Sequence, residues 1–374
     1  MADFDITPLE RFAGTSAAIK RPTEITCFSF DESHEYQPDD SSLHYYYPTQ
    51  IGVDLSQGYD KFRRLDDTRD DHLDALLQAI MELEMRTGEK CEADIITWRG
   101  MMTKIMATPY DNLNDFEMNA TCFQGTIFLE EHHDHKLASR EEQLRSTRTG
   151  APQDLMMYWG YKFEALSLLP TPWGQTSRDY IENRDQQIVS NYAQYCSVVR
   201  TGIGGKMLIL GGEVDGIWDA KPADPNQGIN WVELKTTAKP NKSPGGMLTY
   251  ERKLLKYWIQ SFLLGVPKII VGFRDRGGIL VGQEELETKK IPGTVARVGQ
   301  ASWDGNVCIN FAAAFLEHLR NTITGEGVWR IRHRHRSGPV EIFKIEESGH
   351  GGILSQQFKD WRQRTLATEV AGLL

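Results

Sequence analysis

The chain has 374 residues, of which 40% are hydrophobic, and it carries a formal net charge of −10 at pH 7. This apolar content is sufficient for a well-packed globular core. This net negative charge argues against a protein that binds nucleic acid mainly through its overall charge. A local basic groove or a bound metal ion can still hold phosphates.

The five cysteines are scattered along the chain and form no Cys-x-x-Cys pair. Neither a zinc site nor a disulfide framework is therefore indicated, and a reducing compartment, the nucleus or the cytosol, is expected. The first residues lack the basic and apolar regions of a signal peptide, and no apolar run approaches the roughly 20 residues that span a bilayer. We expect a soluble protein with no membrane partner.

Turn formers and aromatic residues dominate the first fifty residues, which are predicted to form an extended N-terminal arm (1–50) lying on the domain. Leucines and an isoleucine at helical spacing predict a helix from Arg69 to Met85. The strongly polar run 130–150 is interpreted as a flexible, solvated loop. Strands are predicted over Ala93–Trp98, Lys104–Ala107, Phe116–Phe123 and Gly125–Leu129.

The second half of the chain alternates strand-like and helix-like segments, beginning with a helix after Pro152. The later segments are the strands Tyr192–Thr201, Lys206–Trp218 and Asn230–Thr237, the helix Thr249–Leu264, the strand Lys268–Phe273, the helix Phe311–Arg320, and the hairpin Trp329–Arg336 with Val340–Ile345. This order predicts a single α/β (α+β) domain over residues 1–374, with a mixed β-sheet core flanked by helices.

Two of the predicted strands carry charged residues two positions apart. Glu213 and Asp215 are separated by one apolar residue, and so are Glu233 and Lys235. Because residues two apart in a strand share a face at about 6.5–7 Å, pairing of the two strands would bring three carboxylates and one ammonium to one patch. Such a patch favours a hard divalent cation, Mg²⁺ or Mn²⁺. A divalent metal with a lysine beside it is the arrangement that metal-assisted phosphodiester hydrolysis requires.

Each charged strand also has a simpler interpretation. Glu213 and Asp215 can be charges on the solvated face of a strand, although their apolar flanks make unpaired charge costly there. Glu233 and Lys235 can be a same-face ion pair. Either strand alone is a weak signal, whereas both together favour the metal site.

Two helical segments add further candidates. Glu164, at the end of an apolar helical stretch, is either a fourth carboxylate of the site or an exposed helix residue. Lys253, Lys256 and Gln260 share one helix face because of their i, i+4 and i, i+7 spacing. This face is either a solvated stripe or a surface over the metal patch, and the apolar neighbours of Gln260 favour a buried, functional glutamine.

Two other polar runs have functional alternatives. The histidine-rich run 132–135 can bind a transition metal, and the basic run 329–336 can contact RNA or an acidic partner. A solvated loop and a charge-guarded edge strand are the commoner interpretations of such runs.

Six motifs, in this order along the chain, resemble the DXO family of RNA 5′-end decapping nucleases, whose core resembles that of PD-(D/E)xK nucleases. The motifs are Thr97–Gly100, Phe123–Thr126, Gly160–Glu164, Gly212–Asp215, Val232–Thr236 and Lys253–Phe262. The later runs Gly265–Pro267, Val271–Arg274 and Cys308–Phe311 extend the match. The polar run after Glu130 and the C-terminal tail lie outside the shared pattern.

The resemblance implies roles for individual residues. Four carboxylates are implied as ligands of one or two divalent metal ions, with the Leu234 carbonyl as an optional further ligand. Lys235 and Gln260 are implied to hold the nucleophilic water or the scissile phosphate, and Arg99 to contact the 5′ phosphates of RNA. The four carboxylates are those of Glu164, Glu213, Asp215 and Glu233.

The resemblance also implies an activity and partners. Members of the family remove triphosphates, unmethylated or otherwise incomplete caps and NAD caps from RNA 5′ ends, and some degrade the RNA 5′→3′. The chain resembles the fungal branch, whose members bind and stabilise a nuclear 5′→3′ exoribonuclease. A metal-dependent RNA decapping hydrolase in the nucleus is therefore expected, with RNA 5′ ends and that exoribonuclease as partners. A mainly non-catalytic scaffold for the exoribonuclease and a DNA nuclease on the same core stay open as alternatives.

Overall fold

The computed structural model describes residues 2–111, 115–145, 150–224, 227–334 and 338–373. The strands are β1 (Ala2–Phe4), β2 (Ile19–Phe30), β3 (Tyr36–Gln37), β4 (Tyr45–Tyr46), β5 (Ile95–Trp98), β6 (Phe116–Phe123), β7 (Thr126–Glu131), β8 (Leu168–Leu169), β9 (Gln194–Ile203), β10 (Lys206–Glu213), β11 (Gly216–Ile217), β12 (Trp231–Ala238), β13 (Lys268–Arg274), β14 (Leu280–Glu287), β15 (Val328–His333) and β16 (Val340–Glu346). The helices are α1 (Asp74–Thr87), α2 (Arg99–Ala107), α3 (His133–Arg145), α4 (Gln153–Ser167), α5 (Arg178–Glu182), α6 (Pro244–Leu264), α7 (Ile291–Arg297), α8 (Gly305–Thr322) and α9 (Gln356–Leu373).

Two mixed β-sheets form the centre of the described structure. The larger has the strand order β1-β16-β15-β6-β7-β5-β10-β9-β2-β3, and the smaller has the order β14-β13-β12-β11-β4-β8. Each contains parallel and antiparallel neighbours: β10 is parallel to β5 and antiparallel to β9, and β12 is parallel to β13 and antiparallel to β11. The predicted mixed α/β fold is confirmed.

Helix α6 joins the two sheets through the main hydrophobic core. It contacts β9 and β10 of the larger sheet and β13 of the smaller one, and it buries Trp258, Ile259 and Leu263 between them. The helix begins earlier than the predicted Thr249, because the hydroxyl of Ser243 accepts a hydrogen bond from the Gly246 N–H at its first turn. This single helix therefore fixes how the two sheets meet.

The chain crosses from one sheet to the other between β10 and β11. The predicted strand 206–218 is therefore two strands, one ending at Glu213 in the larger sheet and one beginning at Gly216 in the smaller sheet. Within the described residues, β12 pairs with β11 and β13 and not with β10. The expected pairing of the predicted strands Lys206–Trp218 and Asn230–Thr237 is therefore confirmed only at Gly216 and Ile217, and it does not extend to Glu213. The crossover instead places Asp215 at the junction of the two sheets.

Gly216 is required at this crossover, and its replacement gives a testable prediction. A Cβ atom there would lie 2.6 Å from Cδ2 of Leu168 and 3.1 Å from the carbonyl oxygen of His44, and the backbone atom has little freedom to move away. We expect Gly216→Ala to lower the free energy of unfolding by about 1–3 kcal/mol, measured by chemical denaturation. Gly245→Ala is the matched control, because a Cβ atom at Gly245 meets nothing within 4 Å. Equal stability of the two variants would contradict this account of the crossover.

The first fifty residues do not form an arm on the surface. Strand β2 pairs with β9 from Ile19 opposite Ile203 to Phe30 opposite Gln194, inside the larger sheet. Phe28 on this strand is fully buried. The abundance of turn formers around β2 concealed its apolar alternation, so the prediction of an N-terminal arm (1–50) is wrong for this segment.

The polar run 130–150 is likewise not a loop over its described part. Strand β7 continues to Glu131, and α3 covers His133–Arg145, while residues 146–149 lie outside the described residues. Polar contacts hold this helix in place of an apolar face: Arg140 pairs with Asp67, and His135 lies 3.5 Å from Asp115.

Two other predictions concern a short helix and the C-terminal hairpin. The expected strand Lys104–Ala107 is the last part of α2, because its methionines and Ile105 bury a helical face. The predicted C-terminal hairpin is confirmed in the pairing of β15 with β16, and residues 335–337 of its basic run lie outside the described residues. None of the helices in the described ranges has the length and hydropathy needed to cross a bilayer.

Candidate active site

Four parts of the fold bring the four predicted carboxylates together where the two sheets meet. Glu213 ends β10, Asp215 lies in the crossover, and Glu233 lies in β12. Helix α4 supplies Glu164, and this helix packs against β12 through Phe163. Glu164 is close enough to the other three carboxylates for their charges to act on it.

Burial and mutual repulsion disfavour the charged forms of three of these carboxylates. Burial, followed by the charges of Asp215 and Glu213, raises the pKa of Glu164 well above its usual range. Burial and the neighbouring Glu233 raise the pKa of Asp215 to about 7. Burial also raises the pKa of Glu213, although this side chain is exposed within the cleft and its desolvation is therefore partial.

Glu233 behaves in the opposite way, because two cations hold it. Burial acts to raise its pKa, but Lys235 and Arg99 outweigh this effect and lower the pKa. Lys235 Nζ lies 2.5 Å from Glu233 Oε1, and Arg99 Nη1 lies 3.7 Å from Glu233 Oε2. Burial acts to lower the pKa of Lys235, but Glu233 and Asp215 outweigh it and raise the pKa. The same-face ion pair that the sequence left open is therefore part of the site.

The side chain of Asp215 ties the crossover to β12. Strand β11 pairs with β12 only as far as Gly216 opposite Val232. The Leu234 N–H, two residues further along β12, donates instead to Asp215 Oδ2 at 2.6 Å. The carboxylate thus takes the place of a missing strand partner, which fixes Asp215 beside Glu233.

The donor set fits a hard divalent cation. Oε2 of Glu233 is buried and has no hydrogen-bond partner among the described residues, and the three carboxylates with raised pKa values carry charge that a cation would offset. Oxygen donors of this kind suit Mg²⁺ or Mn²⁺. In the described ranges no three acidic, histidine or cysteine side chains already stand in ligating positions. The ligand roles of the four carboxylates and of the Leu234 carbonyl stay predictions.

Gly211 and Gly212 on β10 leave room for the Trp98 ring and for Arg99 beside the site. Arg99 is the first residue of α2, and its Nη1 donates to the Glu213 carbonyl oxygen at 3.3 Å. A Cβ atom on Gly212 would lie 3.0 Å from Arg99 Cβ, and one on Gly211 would lie 2.9 Å from the Trp98 ring. Read as an isolated residue, Arg99 resembles a surface arginine, and only the family motif singled it out.

Two cavities open beside the first turn of α2. One, of about 500 Å³, includes Gly100, Gln260 and Lys256 in its wall, and the other, of about 630 Å³, includes Glu213 and Trp98. Gln260 therefore lines the first cavity, whose wall includes none of the four predicted carboxylates, whereas Glu213 lines the second cavity.

The side chains predicted to share one helix face do not act together in the structure. Lys256 Nζ pairs with Asp111 at 2.7 Å, and Lys253 Nζ contacts the hydroxyl of Thr237. The three side chains consequently do not lie together over the carboxylates.

The histidine-rich run does not converge on one point. His132 pairs with Glu117 at 2.9 Å, while His135 faces Asp115, so polar contacts at the end of β6 account for these histidines.

One residue near the carboxylates was not predicted from the sequence. It is Tyr161, which is half-buried and interacts with the charges of Glu164 and Glu213. Its position three residues before Glu164 on one helix was the available signal.

Comparison with known proteins identifies the family. The model of the RAI1 like PD-(D/E)XK nuclease family matches residues 20–359. The chain is 56% identical to "Decapping nuclease RAI1" of Gibberella zeae over 364 residues, which are 96% of each chain. It is 57% identical to the protein of the same name in Aspergillus fumigatus, over 97% of this chain and 99% of that one.

Solved structures agree with the sequence match. Candida albicans Rai1 in complex with pU5 and Mn²⁺ superposes with a TM-score of 0.88 at 33% identity, covering 94% of this chain and 97% of that chain. Scheffersomyces stipitis Rai1 in complex with (3′-NADP)⁺ and a calcium ion superposes with a TM-score of 0.88 at 30% identity, covering 97% of this chain and 100% of that chain. Since both the sequence and the fold match over nearly their whole length, the chain belongs to the RAI1-like PD-(D/E)XK nuclease family.

Proposed function

We propose that this chain hydrolyses the 5′ end of RNA in a metal-dependent reaction, removing triphosphates, unmethylated or incomplete caps and NAD caps. The observation that carries the proposal is the convergence of Arg99 and Lys235 on a cluster of four carboxylates. Its substrate is supported by relatives named decapping nucleases and by the pU5 and (3′-NADP)⁺ complexes of two Rai1 structures.

The side chains of the site have complementary tasks in this reaction. A divalent ion held by the carboxylates would supply Lewis-acid activation of water and phosphate. Lys235, oriented by Glu233, presents an ammonium to the attacking water or to a phosphate oxygen. The planar fork of Arg99 suits a phosphate of the 5′ end. We propose that the amide of Gln260, which lines the cavity beside α2, donates a hydrogen bond to the attacking water or to the scissile phosphate.

A panel of RNA 5′ ends tests this proposal. Triphosphate-, unmethylated-cap-, methylated-cap- and NAD-ended RNAs are incubated with the protein and Mg²⁺ or Mn²⁺, and the released products are resolved. We expect release of pyrophosphate or cap nucleotide that stops when the metal is chelated. Monophosphorylated single-stranded RNA and DNA tested in parallel measure exonuclease activity and substrate type. Cleavage of DNA alone, or no product from any RNA end, would contradict the proposal.

A second role, binding a nuclear 5′→3′ exoribonuclease, follows from the resemblance and has a structural observation in its favour. Trp173 is 61% exposed and Ile188 is 58% exposed, at the two ends of a segment of short helices that includes α5. Exposed aromatic side chains of this kind are characteristic of protein interfaces. Nuclear localisation is part of this proposal, and imaging of the tagged protein tests it.

We expect Trp173→Ala to weaken capture of the exoribonuclease at least about tenfold, because a central tryptophan contributes strongly to such an interface. Pull-down with the purified exoribonuclease measures capture, and thermal melting of the exoribonuclease measures its stabilisation. Met85→Ala, which removes an exposed apolar side chain from α1, is the control. Equal capture by both variants would exclude the Trp173 surface.

A further inference from the structure

The larger of the two cavities beside α2, of about 630 Å³, has no task in the reaction described above. Glu213 of the carboxylate cluster lines this cavity, and so do the rings of Phe30, His34 and Trp98. We call these three rings the aromatic wall. One cavity therefore contains both aromatic surface and a predicted metal ligand.

The strand register places the aromatic wall and Glu213 on one face of the larger sheet. Glu213 on β10 lies opposite Cys196 on β9, and Cys196 lies opposite Phe28 on β2. Opposite residues of antiparallel strands share a face, and so do residues two apart along a strand, so Phe30 is on the face of Glu213. Two strand spacings and one two-residue step separate their backbones by about 12 Å. This distance is within the reach of one nucleotide whose phosphate lies at the carboxylates.

The core supports the aromatic wall and leaves part of it open to the cavity. Helix α1 packs on this face of the sheet at Gly211, where a Cβ atom would lie 2.9 Å from Cδ1 of Leu76. Phe28 is fully buried, and its ring centre lies 6.3 Å from that of Trp98 and 5.6 Å from that of Phe30. Trp98 and Phe30 are only half-buried. Their inner edges are thus fixed by the core, while their outer surfaces line the cavity.

His34 is held against Phe30 in a conformation that few residues adopt. The two rings stack with their centres 4.2 Å apart and their planes at 19°. Nδ1 of His34 lies 2.9 Å from the Tyr192 carbonyl oxygen, so Nδ1 carries a proton and donates it to that oxygen. The backbone of His34 has a φ of 62°, in the left-handed region. Strained backbone of this kind is found at ligand-binding sites, where the surrounding structure holds it in place.

Charge distinguishes this cavity from its neighbour. Acidic side chains far outnumber those of arginine and lysine in its lining, and Asp70, Asp71 and Asp74 lie together near the start of α1. In the cavity of about 500 Å³, lysine and arginine side chains outnumber the acidic ones. The acidic cavity repels a run of RNA phosphates, whereas a flat ring without a phosphate of its own is compatible with it.

We propose that the aromatic wall binds a heterocyclic ring of the group that leaves the RNA 5′ end. The proposal rests on the proposed function and adds a position: the ring packs against Phe30, His34 and Trp98, while the phosphates of the leaving group stay near Arg99 and the carboxylates. Every nucleobase has a π face, so the guanine of a cap and the rings of NAD fit the same surface. The pyrophosphate that leaves a triphosphate end has no ring and gains nothing from the wall.

Kinetics on different 5′ ends test this position. Phe30→Ala should raise KM about fivefold to tenfold on unmethylated-cap and NAD-ended RNA, because one stacked ring contact is lost before and during the reaction. KM on triphosphate-ended RNA should stay unchanged, and Phe30→Tyr, which keeps the ring, should keep the wild-type KM on all three substrates. Phe343→Ala is the control, because Phe343 is half-buried on β16, toward the other end of the larger sheet.

The pattern across the substrates decides the outcome. An equal rise in KM on all three 5′ ends would mean that the wall contacts the RNA body, and it would overturn the proposal. Unchanged KM on every substrate would overturn it as well. His34→Asn provides a second variant, because asparagine tolerates the left-handed backbone and removes only the imidazole ring. It should show the same substrate pattern as Phe30→Ala.

Binding to the metal-free protein gives a readout that does not depend on hydrolysis. NAD should quench the tryptophan fluorescence of the wild-type protein more than that of Trp98→Phe, because its rings contact Trp98, whereas pyrophosphate should quench both equally. Phe30→Ala should weaken NAD binding about fivefold to tenfold. Failure of NAD to bind, or equal quenching of both proteins by NAD, would overturn the proposal. A wild-type protein that binds NAD in this way but hydrolyses no RNA 5′ end would refute the proposed function alone.

Discussion

Glu213→Gln combined with Asp215→Asn is expected to reduce RNA 5′-end hydrolysis at least about a thousandfold while making the metal-free protein more stable. The electrostatic contribution of a catalytic metal is several kcal/mol, and about 4 kcal/mol corresponds to a thousandfold change in rate. The stability gain follows because burial and neighbouring carboxylates raise the pKa of both residues, so that their charged forms oppose folding. Both amides keep the shape of the side chain.

Two measurements check this pair of opposite effects. Product release from triphosphate-ended RNA gives the rate, and thermal melting in the presence of a chelator gives the stability. Glu35→Gln is the control, because Glu35 is exposed and lines the same cavity as Glu213. Retained hydrolysis in the double variant would contradict the assignment of the metal site. A lower melting temperature would show that the two carboxylates stabilise the fold.

The contribution of Asp215 to the stability of the metal-free protein is expected to decrease as the pH rises. Asp215 has a pKa of about 7 in the folded chain, above its ordinary value of 3.8. At a pH between these two values, the folded state therefore retains a proton that the unfolded state has lost. The contribution of this group to the free energy of unfolding decreases as the pH rises from the lower value to the higher one. Between about pH 5 and about pH 8, the wild-type protein should lose more stability than Asp215→Asn. An equal loss in both proteins would contradict the raised pKa.

Arg362→Ala is expected to have the largest effect on stability, about 3–5 kcal/mol. Arg362 on α9 and Glu84 on α1 are each only 2% exposed, and Arg362 Nη2 lies 2.6 Å from Glu84 Oε1. Glu84 also accepts hydrogen bonds from Trp361 Nε1 and the Cys91 N–H, both at 2.8 Å. Removing the guanidinium leaves a buried carboxylate without its counter-charge.

Chemical denaturation of Arg362→Ala measures this effect on the free energy of unfolding. Arg364→Ala, an exposed arginine on the same helix, should change it by less than about 0.5 kcal/mol. The double variant Arg362→Ala with Glu84→Ala should cost less than the sum of the single variants, because the two side chains interact. A loss below about 1 kcal/mol for Arg362→Ala would mean that the pair does not anchor α9.

Much of the fold was predictable from local patterns. Apolar periodicity identified the helix now seen as Asp74–Thr87 and the strand Lys268–Arg274, because each buries one face or both faces against a core. The same reasoning failed for α3, whose polar surface has no helical signature and which depends on ion pairs with distant residues. It failed for β2 because turn-forming residues surround that strand.

For the candidate site, local sequence patterns predicted the types of donor group. The two-residue repeat at Glu213 and Asp215, and again at Glu233 and Lys235, predicts carboxylate oxygen donors with a lysine beside them. The family motifs added Glu164, Gln260 and Arg99, and the resemblance to this family is confirmed. The individual roles of these residues stay predictions.

How those donors meet depends on the packing of the two sheets and could not be predicted from local patterns. The two predicted charged strands pair only at Gly216 and Ile217, because the chain changes sheet between Glu213 and Gly216. Asp215 is fixed instead by the hydrogen bond that it accepts from the Leu234 N–H. Local sequence patterns report which face of a strand a side chain occupies, whereas the junction of two sheets depends on packing between distant segments.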